Sequence, residues 1–141
     1  MPQAERTITI QRAVGDVFAF VANHDNDTEW RPGVVEMRKA SGEGVGERWY
    51  QRVKGSVGRE IPADIEVTQL EPNRMLAFRA VEGPVRPEGR YEFADEGGAT
   101  RLTFSLNAEL KGLKKLMSPM VQKQMNGEVG NLDNLKQILE R

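Results

Sequence analysis

One carboxylate falls inside an apolar stripe near the C-terminal end of this 141-residue chain. Glu128 lies three residues after Met125 and four before Leu132, spacings that put the three side chains on one face of an α-helix. A buried, unpaired carboxylate costs several kcal/mol, so on this face Glu128 requires a cation, water or a polar ligand group. Gln124, one turn earlier, would share with Glu128 the polar end of an apolar pocket. In the alternative, the helix is rotated so that Glu128 reaches solvent or pairs with an arginine of a strand.

The other groups capable of chemistry form weaker patterns. The single histidine, His24, lies in a polar segment where we expect it to be exposed, and no nucleophile motif such as G-x-S-x-G accompanies it. Asp25, Asp27 and Glu29 alternate like oxygen ligands of a metal, but they lack the glycine and the spaced bidentate glutamate of a calcium loop. We therefore expect no catalytic histidine, no bound metal and no cofactor.

Composition and charge exclude several classes of function. The chain has no cysteine, which excludes disulfides, a thiol nucleophile and thiolate metal sites. With 20 basic and 21 acidic residues the net charge is -1, so no global field attracts nucleic acid. No apolar run suits a signal peptide or a membrane span. We expect a cytoplasmic protein without a nucleic acid partner and without stable membrane insertion.

One local charge pattern stands out from this balanced background. Four lysines occur without an intervening acid, and they are either a solvated helix face or a contact for lipid headgroups or phosphate. They are Lys111, Lys114, Lys115 and Lys123.

The first two-thirds of the chain has the pattern of a strand, a short helix and then many strands. Residues 7–10 alternate polar and apolar side chains, and residues 14–21 repeat apolar ones at helical spacing. Six strand-like runs follow, separated by glycine- and proline-containing turns typical of hairpins. Pro62 cannot donate to a ladder, which places it at a sheet edge or bulge. The runs are residues 34–39, 47–54, 59–70, 74–81, 87–93 and 100–110.

The last segment changes to helical periodicity. Apolar residues at steps of three, four and seven predict one helix from about residue 112 to 140, roughly 40 Å long. Pro119 predicts either a kink or a true start at Ser118–Pro119. The stripe comprises Leu113, Met117, Val121, Met125, Leu132, Leu135 and Leu139.

These elements predict one α+β domain over residues 1–141, in which an antiparallel sheet curves around the long helix. The sheet is large for one helix, and the helix carries adaptable methionines, so we predict a ligand cavity between them. In the alternative, side chains fill this space as an ordinary core. The predicted lining consists of Trp30, Trp49, Gln51, Phe78, Tyr91, Phe93, Phe104, Met117, Val121, Gln124, Met125 and Glu128.

Short sequences in a fixed order give the chain a family resemblance from about residue 6 to 140. They are VFAFVA at 17–22, WRPGV at 30–34, GVG at 44–46, EPNR at 71–74, GATRLT at 98–103 and LKQILE at 135–140. Together they resemble the polyketide cyclase/dehydrase-like branch of the START-related (SRPBCC, birch-pollen-allergen-like) superfamily. This resemblance implies a helix-grip fold with a curved seven-stranded antiparallel sheet and two short helices after the first strand. Family members bind lipids, sterols, plant hormones or polyketides, and some catalyse cyclisation or dehydration. The resemblance assigns no catalytic residue to this chain, because those residues differ between branches.

Three functions remain open at this point. The first is binding or carrying of a small, mostly apolar molecule, such as a lipid, polyketide or aromatic metabolite. The second is a polyketide cyclase/dehydrase-type enzyme in which Glu128 or Tyr91 moves a proton. The third is an interaction module with a filled core and no ligand. We expect a monomer or homodimer in each case.

Overall fold

The computed structural model describes residues 2–55, 58–83 and 85–141. Its sheet is antiparallel, with strand order β1-β8-β7-β6-β5-β3-β2, and the short β4 pairs with β3 outside this order. The seven predicted strands are confirmed, and the run 59–70 divides into β4 and β5, with Pro62 at the end of β4. The strands are β1 (Gln3–Ile10), β2 (Val34–Ser41), β3 (Arg48–Lys54), β4 (Glu60–Pro62), β5 (Ile65–Glu71), β6 (Met75–Ala80), β7 (Glu88–Glu96) and β8 (Ala99–Asn107).

Two short helices follow β1, as the family resemblance implies. They are α1 (Val14–Ala22) and α2 (Asp27–Trp30), separated by a 3-10 turn at His24–Asn26. The side chain of Asn23 accepts a hydrogen bond from the Asp25 N–H and so caps this turn. The polar segment after α1 is therefore an ordered connection that fixes the direction of the following side chains.

The C-terminal helical region begins later than the apolar periodicity predicts. Residues Gly112–Met117 form a 3-10 segment, and α3 (Ser118–Gly130) begins at Ser118 with Pro119 in its first turn. The alternative start at Ser118–Pro119 is thus confirmed, because proline fits a helix start and not its interior. The expectation that Leu113 belongs to the buried stripe is wrong, since 87% of the residue is exposed. α4 (Leu132–Leu139) follows after Asn131.

Buried and exposed side chains alternate along the strands, as the period-2 pattern predicts. Tyr91 and Phe93 on β7 are buried while their neighbours face solvent, and β8 repeats the pattern at Leu102, Phe104 and Leu106. These side chains, with α1, α3 and α4, make the main core.

A second, smaller core lies at the other edge of the sheet. It consists of Val34, Met37, Trp49 and Ile65, and Phe78 packs against both cores. α3 lies against β1 and β8, whereas α2 and the 3-10 turn lie against β2. The helical layer therefore has two parts, and the polar groups described below bridge the gap between them.

The two ends of the strands differ. The hairpin turns at residues 42–47, 72–74 and 97–98 lie at one end, which we call the turn end. The loops at 55–59, 81–87 and 108–117 lie at the other, which we call the loop end; positions 56, 57 and 84 fall outside the described residues. No helix in the described ranges is long and apolar enough to cross a membrane.

Candidate functional site

A buried arginine, Arg31, binds the polar groups that lie between the two parts of the helical layer. Arg31 directly follows α2, and only 11% of its side chain is exposed. Its Nη1 donates to Oδ2 of Asp27 at 2.9 Å and to Oε1 of Gln51 at 3.0 Å. Its Nε and Nη2 donate to the two carboxylate oxygens of Glu128 at 3.0 and 3.1 Å. This planar, two-point pairing is the strongest geometry available to an arginine and a carboxylate.

Local structure brings these four groups together. Asp27 and Arg31 are four residues apart, and the Arg31 N–H donates to the Asp27 carbonyl at 2.8 Å, which sets both side chains on one side of α2. Gln51 points inward from β3, and its amide nitrogen donates to the Ala63 carbonyl at 2.8 Å. Glu128 comes from α3 and leaves 25% of its side chain exposed. Arg31 therefore links α2, the sheet and the C-terminal helix.

Of the alternatives open for Glu128, the structure shows pairing with an arginine. This arginine lies just after α2 and not in a strand. Gln124 is exposed and is not part of the group. The carboxylate thus lies at the edge of the interior, partly in contact with solvent.

His24 extends this group inward. It is 1% exposed, so the expectation of a solvent-exposed histidine is wrong. Its Nδ1 lies 3.1 Å from Oδ2 of Asp27, and its ring meets the edge of Trp49 with 5.2 Å between centroids. Because a carboxylate accepts, Nδ1 carries a proton and donates to Asp27.

Two buried nitrogens in the described part of the chain have no hydrogen-bond partner. They are Nε2 of His24 and Nε1 of Trp30, the second of which is a donor. A buried polar atom without a partner costs about 1–3 kcal/mol, so native proteins satisfy such atoms with protein, water or ligand groups. These two atoms are therefore places where an additional polar group would be stabilised.

Burial and neighbouring charges shift the pKa values of Arg31 and Tyr91. Burial alone lowers the pKa of Arg31, but the carboxylates of Glu128 and Asp27 outweigh it and hold that pKa above its ordinary value. Burial raises the pKa of Tyr91 well above the ordinary value, and the nearby Arg31 only partly opposes this. Tyr91 is accordingly a neutral phenol at physiological pH and can donate a hydrogen bond.

The aromatic residues predicted to line a cavity contact one another. Tyr91 stacks on Phe104 with centroids 4.3 Å apart, and Trp30 and Phe78 meet Tyr91 at 6.3 and 6.0 Å. Phe93 instead meets Phe18 of α1 at 5.1 Å. These rings form one aromatic interior beside Arg31.

The other predicted lining residues lie at different depths. Val121 and Met125 are buried on α3, and Met117 is half-buried at the loop end. Trp49 is buried in the smaller core, against His24. The structure thus gathers the predicted set, apart from Gln124, around the two cores and the group that separates them.

Two open grooves of about 290 and 510 Å³ lie elsewhere. Their lining includes the outward side chains of β5–β8, among them Arg79 and Arg90. Arg79 already pairs with Glu66 at 2.8 Å, and Arg90 with Glu92 at 3.3 Å. Neither groove is the predicted space between the sheet and the C-terminal helix. Within the described residues, no cluster of acidic or histidine side chains is arranged to hold a metal ion.

Arg31 and Asp27 are site residues that the sequence analysis did not select. The available signal was the spacing of His24, Asp27 and Arg31, which places three polar side chains on one side of a short helix. The second signal was Glu128, whose position in an apolar stripe already required a partner.

The sequence matches the family described as polyketide cyclase / dehydrase and lipid transport over residues 1–140. The chain belongs to this family. No curated protein sequence matches it.

Solved structures with the same fold confirm the helix-grip architecture. The protein TTHA0849 from Thermus thermophilus has a TM-score of 0.81 at 20% identity, covering 98% of this chain and 97% of that one. A START superfamily protein from Mycobacterium smegmatis has a TM-score of 0.81 at 17% identity, with coverage of 98% and 97%. Zhui aromatase/cyclase from Streptomyces sp. R1128 has a TM-score of 0.74 at 16% identity, with coverage of 97% and 90%. At these identities the likeness concerns the fold alone.

Proposed function

We propose that this single-domain protein binds a small, mostly apolar molecule between the sheet and α3, with an oxygen of that molecule held beside Arg31. The observation that carries the proposal is the unpaired Nε1 of Trp30, a buried donor next to the aromatic interior. An acceptor oxygen on an otherwise apolar ligand would satisfy this donor. The rest of the ligand would then be buried against Tyr91 and Phe104.

The loop end supports an entrance for such a molecule. Three inward-facing apolar residues there, Val53, Phe78 and Met117, are only half-buried, whereas those nearer the middle of the sheet are buried. Val85, in the loop between β6 and β7, packs on the main core from the same end. Because the interior rings already touch, ligand binding requires them to move apart, and we expect Met117 and Val85, which pack on the main core at this end, to move with them.

The polar group beside the rings limits the ligand class. Four of the five N–H groups of Arg31 already donate to carboxylates and an amide, so its positive charge is matched within the site and favours no strongly anionic ligand. Trp30 and Tyr91 are neutral donors. A ketone, ester or phenol oxygen therefore fits better than a phosphate or sulfate.

The test is a thermal-shift and native mass-spectrometry screen of neutral apolar compounds with and without a carbonyl group. A ligand that binds the folded state raises the midpoint of unfolding according to RT ln(1 + [L]/Kd). Trp30→Phe keeps an aromatic ring but removes the donor. It should lower the affinity for carbonyl ligands about tenfold and leave the affinity for pure hydrocarbons unchanged. Phe18→Leu, which alters a ring contact on α1, is the control.

The outcomes separate the alternatives. If no compound in the screen shifts the midpoint or co-purifies, the filled-core interaction module is supported and the proposal fails. If Trp30→Phe binds carbonyl compounds as tightly as the unchanged protein, the assigned polar contact is wrong. A cytoplasmic location and a monomeric or homodimeric state remain part of this prediction.

A cyclase/dehydrase reaction in the same interior is the second candidate. Two observations favour it: the buried His24–Asp27 pair with Nε2 unpaired, and the neutral phenol of Tyr91 close to Arg31. Ring closure with loss of water requires one group to accept a proton from carbon and another to protonate the departing oxygen. Tyr91→Phe should retain binding of a linear poly-ketone and abolish its conversion; release of the compound unchanged by the unaltered protein rejects this candidate.

A further inference from the structure

We propose that the face formed by the 3-10 segment and the first turn of α3 docks on an anionic lipid surface. Its apolar members are highly exposed: Leu113 by 87%, Leu116 by 81% and Met120 by 48%. We call this face the basic apolar surface; it consists of Lys111, Leu113, Lys114, Lys115, Leu116 and Met120.

Local geometry keeps these leucines away from the core. Gly112 has a φ of 60°, and the chain then turns through a 3-10 segment before α3 begins at Ser118. Met117 is half-buried against the main core and anchors the segment. Single exposed leucines are ordinary, but large apolar side chains grouped within one short segment indicate a contact surface.

The charge pattern favours an anionic partner. Between Glu109 and Glu128 the sequence contains no acidic residue. Lys111 lies 3.5 Å from Glu109, but both side chains are mostly exposed, and such a pair contributes little. A second copy of this chain fits poorly, because a two-fold contact would bring lysines against lysines.

The combination of leucines and lysines separates a lipid surface from an acidic protein. At a membrane interface, leucine side chains enter the acyl region while lysine stems extend toward the headgroups, so both residue types contribute. An acidic, polar partner would use the lysines and leave the leucines in water. The proposal does not depend on the ligand-binding function, because vesicle binding is measured without a ligand.

The first measurement compares the unaltered protein on two kinds of vesicle. We expect co-sedimentation with vesicles of phosphatidylcholine and phosphatidylglycerol in equal parts, and little with phosphatidylcholine alone. Added salt should weaken the binding, since it screens the lysines. Equal binding to both vesicles, or to neither, overturns the proposal.

Paired variants then test the contributions of the leucines and of the lysines to vesicle binding separately. Leu113→Ser with Leu116→Ser should weaken binding at least about tenfold through lost apolar burial. Lys114→Gln with Lys115→Gln should weaken it about 25-fold, at about fivefold for each lysine. The matched controls at the turn end are Val45→Ser, which removes a residue 63% exposed, and Arg74→Gln, which removes an exposed charge.

The controls should bind like the unaltered protein, and urea unfolding should be unchanged for all the variants because the replaced side chains are exposed. If the leucine pair binds vesicles as tightly as the unaltered protein, the proposal fails. If soluble poly-glutamate competes fully and the leucine variant responds to it identically, an acidic protein partner replaces the lipid surface.

A direct reading of insertion uses Leu116→Trp. The two native tryptophans are buried, so a new indole at this position reports the surface alone. Its fluorescence should be quenched by phosphatidylcholine with brominated acyl chains mixed with phosphatidylglycerol. Unchanged fluorescence on bound vesicles shows that no side chain enters the bilayer and overturns the proposal.

Discussion

Removing the positive charge of Arg31 should be the most destabilising single change in the polar group. Arg31→Met replaces the guanidinium with an apolar side chain of similar length. Among the residues that the structure describes, Asp27, whose side chain is 1% exposed, then keeps only His24 as a partner, while Glu128 can turn its partly exposed carboxylate to water. The cost therefore comes mainly from Asp27.

The magnitude follows from the loss of one partner of a buried ion pair, about 3–5 kcal/mol. Domains of this class unfold with about 5–15 kcal/mol in total, so the variant should still fold but with its midpoint lowered on the order of 10 °C. Glu128→Gln should cost less, about 1–2 kcal/mol, because the pair is partly solvent-screened. A larger loss of stability in Arg31→Met than in Glu128→Gln is expected if the cost comes from leaving Asp27 unpaired, and the reverse is expected if the pair with Glu128 dominates.

The assay is urea unfolding followed by tryptophan fluorescence, since Trp30 and Trp49 lie on the two sides of the group. Adding Asp27→Asn to Arg31→Met removes the isolated charge and should recover about 1–3 kcal/mol. A cost below about 1 kcal/mol for Arg31→Met, or a further loss in the double variant, would refute the reasoning.

Two further predictions concern Glu47 and a pair of glycines, Gly89 and Gly127. The carboxylate of Glu47 accepts the Trp49 indole N–H at 2.6 Å. Burial raises the pKa of Glu47, but the hydrogen bonds from Trp49, Lys39 and the Gly44 N–H lower it overall. The stabilisation by this carboxylate is therefore present above the unfolded pKa of about 4.3 and is lost as the pH falls below that value. In urea titrations, the free energy of unfolding should therefore fall less steeply with acidification for Glu47→Gln than for the unaltered protein. Equal slopes of this free energy against pH would contradict the prediction. Gly89→Ala should destabilise by about 1–3 kcal/mol, because a methyl group there overlaps the ring of Phe78. In Gly127→Ala, on the open face of α3, the methyl group meets nothing and should stabilise by about 0.5–1 kcal/mol; the same sign for both glycines contradicts the geometry.

The sheet was predictable because its physical signal is local. A strand with one buried face alternates side chains, so Tyr91, Phe93 and Phe104 could be assigned to the interior without knowledge of the partner strands. Positive-φ glycines at the hairpins, such as Gly97 and Gly98, marked the turns in the same way.

The start of the C-terminal helix was harder to predict. The period that buries Val121 and Met125 continues back to Leu113, and periodicity alone carries no information about where the sheet ends. Pro119 was the better signal, because its ring restricts the helix start whatever the apolar pattern suggests. The exposed Leu113 belongs to the part of the stripe that precedes α3, in the 3-10 segment.

The partners of the polar group could not be read from the sequence. Asp27 and His24 occur in a polar segment that looks like a solvated loop, and burial of such groups depends on contacts with β3 and α3 far along the chain. What the sequence did establish was a requirement: a carboxylate buried within an apolar stripe needs a cation, water or a polar ligand group. Seeking that cation next to the predicted interior, rather than among the strand arginines, would have led to Arg31.

The position of Arg31 connects the fold to the proposed function. Arg31 links β3, whose Trp49 belongs to the smaller core, to α3, whose Val129 belongs to the main core, and we expect an apolar side chain there to let the neighbouring side chains collapse together. A charged side chain satisfied by three acceptors prevents that collapse, since moving it would break four hydrogen bonds. The group thus holds α2 and α3 at a fixed separation and leaves the donor of Trp30 beside the rings. We therefore expect Arg31→Met to lose ligand affinity at a temperature where the variant is folded, because it removes the side chain that maintains this separation.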